Sequence, residues 1–529
     1  MLSILLVCVF VVPTPFVILR CKDSGWSWVP FLAGYLVFLG LSIMLWVGAW
    51  FNYRGISSLL QRSIIITSLL ILPVLWITVY EYILHRYPID IMVVFISAAF
   101  ILALLASTSL KSENFARLLT FVIIFFIGFS ILQVPFGHSR SRSFLEFYSA
   151  DDNTIDVLFV GNSHIEVTVN ESIVDDVLGV NSHVLHDGGI DMVSAYYFIR
   201  QSLETQNPRL IVIEAYPLMV KPELSSIMRG QGVLRGRVAF EAMIDRFSVK
   251  DYSSVLFPML YYHSDWALID NTFVSETIRD YSYLVYPWLT QGLQKRLSAQ
   301  AGMVTKIVSL EEYMPDRELA IYPENLVYLD KIISLCREHH IDLWLVQSPY
   351  TIPPVVDVEA IAQARHLNFY DYNTDQTFNP ARVHFKDSAH FNNIGTVLAS
   401  LRIAELLAEP LGLTIDKESY ARYHSVLVKN LTIEVDGEQI TYTLDMVEDD
   451  TSEVEFAWYV ANRDAVLIES PFSSQNSITF TMPENGQYTV QLQIRNRTHP
   501  EVSVMGVLDE RYDPALAAEL GLVPQFGAK

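Results

Sequence analysis

Cysteine is scarce in this chain of 529 residues, which contains only three. Cys8 and Cys21 lie in or beside the first apolar stretch, and Cys336 lies in a predicted helix far along the chain. This distribution offers no disulfide framework. The stability of the folded chain must therefore come from packed hydrophobic cores.

Positive charge is scarce as well. The chain has 36 Lys and Arg against 58 Asp and Glu, which gives a formal net charge of −22. The first 150 residues carry +4 of this charge, so the remainder carries −26. Nucleic acids and anionic lipid headgroups are bound largely through cations, so this acidity argues against both as ligands. A glycine-rich nucleotide loop is also missing, and we predict neither a cofactor nor a metal site.

Long apolar runs, by contrast, are plentiful before residue 150. Five stretches reach the length of roughly 20 residues that a helix needs to cross a bilayer. The first has no basic segment before it and no small-residue cleavage site, so we interpret it as a retained helix, with a signal peptide as the alternative. We predict about five transmembrane helices over residues 1–138, in a multi-pass protein of the cell membrane whose orientation the loop cations do not fix. The stretches lie near residues 2–19, 29–50, 63–84, 91–110 and 118–136.

The central region, residues 150–415, alternates short apolar runs with helical patterns. Continuous apolar strands separated by helices are typical of a parallel sheet covered on both faces, so this region is predicted to be an α/β domain. Ligands of such sheets bind beyond the carboxyl ends of the strands. Residues 218–320 interrupt the alternation, and we expect a helical insertion that shapes or covers the site. The apolar runs lie at residues 155–160, 184–185, 210–213, 341–346 and 368–372.

After residue 425 the hydrophobic period changes. Apolar and other residues alternate at residues 454–460 and again at 488–494, with turn signals between such segments. Alternation with frequent turns indicates a small all-β, Ig-like sandwich over residues 425–505. An irregular tail is expected over residues 506–529.

Two short motifs carry the candidate chemistry. Gly-Asn-Ser-His at residues 161–164 directly follows an apolar run, and Asp-Ser-Ala-His occupies residues 387–390. A serine hydroxyl attacks a carbonyl only when an imidazole takes its proton and a carboxylate fixes the tautomer of that imidazole. Each motif has a plainer interpretation, since Gly-x-Ser turns are common and Asp and Asn favour helix starts. The two motifs together, in this order, favour catalysis.

These motifs resemble those of the SGNH (GDSL-like) hydrolase and acyltransferase superfamily. Residues 161–164 are similar to its first sequence block, with Asn where Asp is commoner. Residues 387–395, Asp-Ser-Ala-His-Phe-Asn-Asn-Ile-Gly, are similar to its closing block. In detail the chain is most similar to the membrane-anchored branch that accompanies polysaccharide and teichoic-acid acylation. The resemblance covers roughly residues 150–415 and implies a three-layer SGNH-type fold for them.

The resemblance also implies a role for each residue of the motifs. Ser163 is the expected nucleophile, His390 the general base and later acid, and Asp387 the carboxylate that orients His390. The backbone N–H groups of Ser163 and of Gly188 or Gly189 are the expected oxyanion hole.

The third sequence block of the family departs from the pattern. The family has Gly-x-Asn there, whereas this strand ends in Ile-Glu-Ala-Tyr-Pro at residues 213–217. The missing Asn side chain would weaken hydrolysis more than transfer to a held acceptor. Tyr216 is the candidate to replace it.

The resemblance implies a serine O-acyltransferase, expected to move acetyl groups onto a cell-surface or exported polysaccharide, with its catalytic domain outside the cytoplasm. Its expected partners are a glycan acceptor and an acyl donor, with a membrane-bound acyltransferase as the candidate supplier of the acyl group. Two alternatives remain open. The first is a carbohydrate esterase that uses the same triad. The second is a non-catalytic assembly or glycan-binding component, which the missing Asn favours and the retained triad opposes.

Overall fold

In the computed structural model the chain divides into two compact units, and eight segments of it are described. One unit comprises Met1–His138 and Gln231–Ser282, and the other comprises Ser139–Gly230 and Tyr283–Lys529. The described segments are residues 142–248, 251–256, 261, 306–308, 319–352, 356–462, 465–481 and 487–511.

The described helices do not include a membrane span. None of them is both long and apolar enough to cross a bilayer. The longest, Pro323–Glu338 and Asn393–Ala408, have 16 residues each. At a rise of 1.5 Å per residue this is about 24 Å, short of the roughly 30 Å hydrocarbon core. The finding contradicts the transmembrane region in the predicted fold class and the multi-pass membrane localisation. The five stretches that motivated both predictions lie outside the described residues.

The parallel sheet predicted from the apolar runs is present in the second unit. Its five strands follow the order β2-β1-β3-β4-β5, and every neighbouring pair is parallel. Because β1 lies between β2 and β3, its carboxyl end meets the carboxyl ends of both. The strands are β1 (Val157–Gly161), β2 (Ser182–His186), β3 (Leu210–Glu214), β4 (Asp342–Gln347) and β5 (Asn368–Asp371).

Helices cover both faces of this sheet. Val157 and Phe159 of β1 belong to a core that includes residues of α3 and α10, while Leu158, on the other face, is equally buried. On that other face α4 packs against α8. The helices of the second unit are α1 (Arg142–Ser149), α2 (Ser163–Thr168), α3 (Glu171–Leu178), α4 (Met192–Ser202), α8 (Pro323–Glu338), α9 (Val358–Gln363), α10 (Asn393–Ala408) and α11 (Lys417–His424).

The predicted helical insertion falls partly within the described residues. Helix α5 (Leu224–Val233) begins in the second unit and ends in the first. The described part of the first unit contains α6 (Gly236–Arg246) and α7 (Tyr252–Leu256). The aromatic cluster at residues 262–266 lies outside the described residues.

Two antiparallel sheets follow the parallel one in the chain. One has the order β10-β7-β6 and the other the order β12-β11-β8-β9. Burial alternates along β8, as the hydrophobic alternation predicted. The sheets meet through a hydrogen bond between the hydroxyls of Tyr442 and Tyr488, 2.9 Å apart, so they form a sandwich. The strands are β6 (Val428–Asp436), β7 (Gln439–Met446), β8 (Val454–Ala461), β9 (Val466–Glu469), β10 (Ser477–Thr481), β11 (Gln487–Asn496) and β12 (Ser503–Arg511).

The sandwich contacts the segment that leads to the second motif. The His384 ring nitrogen Nε2 lies 2.8 Å from the carbonyl oxygen of Val428, the first residue of β6. The N–H of Ile307 donates to Val507 of β12, and the N–H of Val308 donates to Phe385, both at 2.7 Å. The chain before Asp387 is thus bonded to both sheets of the sandwich.

Candidate active site

Ser163 lies just beyond the carboxyl end of β1. It is the first residue of α2, and Asn162 precedes it as the N-cap in an extended conformation. The Asn162 side-chain oxygen accepts a hydrogen bond from the His164 N–H at 2.9 Å. This cap ends the strand and begins the helix within one residue. The strand-to-helix turn therefore presents the Ser163 hydroxyl at the edge of the sheet.

A second turn carries Asp387, the expected orienting carboxylate, and His390, the expected base. The Asp387 carboxylate accepts hydrogen bonds from the N–H groups of Ala389 and His390, at 2.9 and 3.0 Å. The N–H and hydroxyl of Thr351, in the loop after β4, both donate to the Ser388 carbonyl at 3.0 Å. These bonds hold the turn in place without any contribution from the His390 ring.

Two residues that follow His390 explain why the second motif extends beyond it. Asn392 is fully buried and caps α10, where its side-chain oxygen accepts hydrogen bonds from Ile394 and Gly395 N–H. Gly395 packs its backbone against the motif itself. A Cβ atom there would lie 2.4 Å from the His384 carbonyl oxygen and 2.6 Å from a Phe391 ring carbon. The capping interpretation of the motif is therefore correct for Asn392, alongside the arrangement of the acid and base.

The structure brings Ser163, His390 and Asp387 together. The Ser163 hydroxyl oxygen is 2.8 Å from His390 Nε2. His390 Nδ1 is 2.9 and 3.1 Å from the two Asp387 carboxylate oxygens. Each distance is that of a hydrogen bond, and the order is the one that nucleophilic acyl transfer requires.

The electrostatics of Asp387 suit an orienting carboxylate. Burial raises the pKa of Asp387, but the hydrogen bond and charge of His390 and the N–H of Ala389 outweigh it and lower the pKa to about 2. Asp387 is therefore ionised at neutral pH. An ionised carboxylate at Nδ1 holds the tautomer of His390 whose Nε2 can accept the Ser163 proton.

The two glycines of the expected oxyanion hole differ in what they offer. The Gly188 N–H donates to the Asp187 carboxylate at 2.7 Å, so this donor already has a partner. Gly189 has a positive φ of 66°, and a Cβ atom on it would lie 2.8 Å from Arg229 Nη1. Arg229 itself donates to the Gly188 carbonyl at 2.9 Å. The oxyanion-hole role of the Gly189 and Ser163 N–H groups stays a prediction.

The His164 ring packs against the His390 ring and against two tyrosine rings. The His164 ring is stacked on Tyr216 with centroids 4.2 Å apart, and it lies 4.5 Å from the His390 ring and 5.2 Å from Tyr350. His164 and Tyr350 are both buried. From the sequence, no role in the site was assigned to the His164 or Tyr350 side chains. The available signal was the position of Tyr350 just past an apolar strand, in the same place that Ser163 and Tyr216 take on their strands.

Glu214, the last residue of β3, was also missed. Its side chain is fully buried, and Oε2 accepts a hydrogen bond from the Tyr216 N–H at 2.8 Å. Burial raises the pKa of this carboxyl to about 8, although the Tyr216 N–H and the neighbouring Ser348 act to lower it. The signal in the sequence was an ionisable residue at the end of an otherwise apolar run, at the block where the family has Asn.

One group of potential metal ligands occurs among the described residues. Ligand atoms of Glu146, Glu171 and His183 lie within 4.8 Å of one another. His183 Nε2 lies 2.8 Å from the Ser143 carbonyl oxygen, and Nδ1 lies 3.2 Å from Glu171. Both ring nitrogens therefore face protein oxygens, and the group is a partly buried polar contact between α1, α3 and β2.

Comparison with known proteins adds little to this geometry. No protein-family model and no curated protein match the chain. Among the solved structures that match is a protein from Bacteroides fragilis, described provisionally as an acylhydrolase. It shares 11% sequence identity over 51% of this chain and 96% of its own, with a TM-score of 0.26. A TM-score this low supports no conclusion about function.

Proposed function

We propose that this protein is a serine-dependent acyl-transfer enzyme that forms an acyl ester on Ser163. The contacts from Ser163 to His390 at 2.8 Å and from His390 to Asp387 at 2.9 Å carry this proposal. The helix capping of the two motifs explains their local folding. It does not account for a serine hydroxyl placed on the imidazole from a turn 227 positions away in the chain.

The proposed reaction has two transfers. The Ser163 oxygen attacks the carbonyl carbon of an acyl donor while His390 Nε2 takes the hydroxyl proton. The negative charge that develops on the carbonyl oxygen faces the N–H groups of Ser163 and Gly189. The donor's leaving group departs with the proton from His390, and the acyl group stays on Ser163. An acceptor hydroxyl then gives its proton to His390, attacks the ester and leaves as the acylated product, which restores the serine.

For the acceptor we propose a carbohydrate hydroxyl, with an acetyl group as the transferred group. This step rests on the resemblance of the two motifs to the acyltransferase members of the SGNH superfamily. The absent third-block Asn and the engaged Gly188 N–H leave few donors for an oxyanion formed by free water. A held sugar hydroxyl gains rate from its positioning instead. The esterase reaction, with water as acceptor, is the second candidate because the same triad supports it.

The test is covalent labelling of the full-length protein. We expect a fluorophosphonate to add to Ser163 and p-nitrophenyl acetate to acetylate it, as seen by intact mass and peptide mapping. Ser163→Ala should abolish both adducts without changing the circular dichroism spectrum. Ser172→Ala is the matched control, because Ser172 lies on the next helix of the same unit and outside the triad.

The outcomes separate the candidates. Labelling at Ser163, followed by deacetylation that oligosaccharides accelerate and that yields an acetylated sugar, supports transfer. Deacetylation at the same rate with and without sugars indicates an esterase. A folded wild-type protein that neither reagent labels would refute the catalytic proposal.

A further inference from the structure

Glu214 lies directly beside the strand that carries the nucleophile. Strand pairing aligns Val160 of β1 with Ile213 of β3, so the next residues, Gly161 and Glu214, are neighbours. A Cβ atom on Gly161 would be 2.8 Å from the Glu214 Cβ. Glycine at this position leaves room for the glutamate side chain at the carboxyl end of the sheet, two residues before Ser163.

The surroundings of the Glu214 carboxyl suit its neutral form. Oε2 accepts the Tyr216 N–H, whereas the buried Oε1 is in hydrogen-bonding geometry with no group of the described residues. The N–H and hydroxyl of Ser348 approach the carboxyl closely enough to favour its charged form. No cation in the described part of the chain contributes to its pKa. A buried carboxylate without a cation is costly, and burial accordingly raises the pKa of Glu214 to about 8.

A chain of direct contacts joins this carboxyl to the triad. Glu214 holds the Tyr216 N–H at 2.8 Å, and the Tyr216 ring stacks on His164 at 4.2 Å. The His164 ring in turn lies 4.5 Å from the His390 ring. The turn after β3 therefore sets the position of the ring that packs beside the catalytic base.

We propose that Glu214 is a positioning residue for the triad and that it acts as a neutral carboxylic acid. Its hydrogen bond with the Tyr216 N–H holds the turn after β3, and the Tyr216 ring then holds His164 against His390. Ionisation places an uncompensated charge in this turn and disturbs the packing. The inference rests on the proposed acyl transfer at Ser163 and adds a pH limit to it.

Other titratable groups face this region from each packed element. Tyr216 lies on the turn after β3, Tyr350 on the loop after β4, His164 at the start of α2 and Asp371 at the end of β5. Burial raises the pKa of Tyr350 well above 10, and the nearby acidic groups Glu214, Tyr216 and Asp371 raise it further. Tyr350 therefore stays neutral in the pH range where Glu214 titrates.

The sign of the effect follows from the direction of the shift. The raised pKa keeps Glu214 neutral below about pH 8, and the carboxyl becomes charged above it. The rate of Ser163 labelling should therefore be maintained at pH 7 and fall by about tenfold by pH 9.5, where only a few per cent of an acid with this pKa is protonated. Glu214→Gln mimics the neutral acid and cannot ionise.

The experiment measures the rate of fluorophosphonate labelling of the full-length protein from pH 6 to 9.5, with Ser163→Ala as the blank. Wild type should show the alkaline decline. Glu214→Gln should retain most of the pH 7 rate and lose the decline, whereas Glu214→Ala should label slowly at every pH. Glu171→Gln is the matched control, because Glu171 is another glutamate whose pKa burial raises, to about 7, and it lies on α3 outside these contacts. It should keep the wild-type decline.

Two results would overturn the inference alone. One is a Glu214→Gln variant that labels normally and declines as wild type does. The other is a Glu214→Gln variant that is folded but slow at pH 7, while wild type labels well, because it would mean that the charged form is required. A wild-type protein that labels at no pH would instead refute the proposed acyl transfer, and this inference with it.

Discussion

The parallel sheet and the sandwich differ in whether their buried polar side chains are hydrogen-bonded. At the carboxyl edge of the parallel sheet, buried side-chain atoms of Asn162, Glu214, Gln347 and Tyr350 have no hydrogen-bond partner among the described residues. In the described strands of the sandwich, no buried side-chain nitrogen or oxygen is in that position. Each such atom costs about 1–3 kcal/mol if nothing bonds to it.

The two regions differ in what explains their buried residues. In the sandwich, buried and partly exposed residues alternate along β8, and the buried hydroxyls of Tyr442 and Tyr488 are hydrogen-bonded to each other. Packing between the two sheets accounts for these buried residues. The parallel sheet places polar and titratable groups just where its strands end, next to Ser163. Polar groups kept at such a cost are typical of a site that binds a ligand or holds reacting groups. Three experiments test this difference.

The largest expected effect is on activity at the edge of the parallel sheet. His390→Ala removes the proposed base and should slow acetylation of Ser163 by about a thousandfold, with the melting temperature little changed. Stopped-flow release of p-nitrophenol from the full-length protein measures it. His424→Ala is the matched control, since that histidine lies on α11 and pairs with Glu448. Equal loss of rate in both variants would contradict a specific role for His390.

Sequence patterns gave much of this architecture and only part of the site. Continuous apolar runs predicted the parallel strands, and alternation predicted the antiparallel ones, because burial on two faces and on one face leaves different patterns. The triad residues stood out because serine, histidine and aspartate occupy recognisable short motifs.

Other parts of the site depend on contacts between distant segments. Tyr350 and His164 meet only after β1 and β4 take their places in the sheet, and no local pattern records that meeting. Glu214 stood out as an ionisable residue at the end of an apolar run. Its packing against Gly161 could be predicted only from the register between β1 and β3. The transmembrane prediction used hydropathy alone, and no described helix matches it.

The second effect is on stability, where the turn that carries Asp387 and His390 packs on α10. Gly395→Ala places a methyl group within 2.4 Å of the His384 carbonyl and 2.6 Å of the Phe391 ring, so the turn or the helix must shift. We expect a loss of about 3 kcal/mol in unfolding free energy and slower labelling of Ser163. Calorimetry of the full-length protein measures the first. Gly188→Ala is the control for stability, because a Cβ atom there meets nothing within 4 Å. A fully stable Gly395→Ala would show that the packing has room that the structure does not indicate.

The smallest expected effect is in the sandwich. It tests whether buried residues there contribute to stability but not to the reactivity of Ser163. Tyr442 and Tyr488 are buried, and their hydroxyls are hydrogen-bonded to each other at 2.9 Å. Tyr442→Phe should cost about 1 kcal/mol of stability, because it leaves the Tyr488 hydroxyl without this partner. Adding Tyr488→Phe should cost less than a second such loss, since the double variant leaves neither hydroxyl of the pair behind. Labelling of Ser163 should stay within about twofold of wild type in both variants, because these rings pack between the two sheets of the sandwich and not at the triad. A large loss of labelling in a stable Tyr442→Phe protein would contradict this expectation. It would mean that the sandwich influences the triad through its contacts with the His384 segment, so that the sandwich would not serve packing alone.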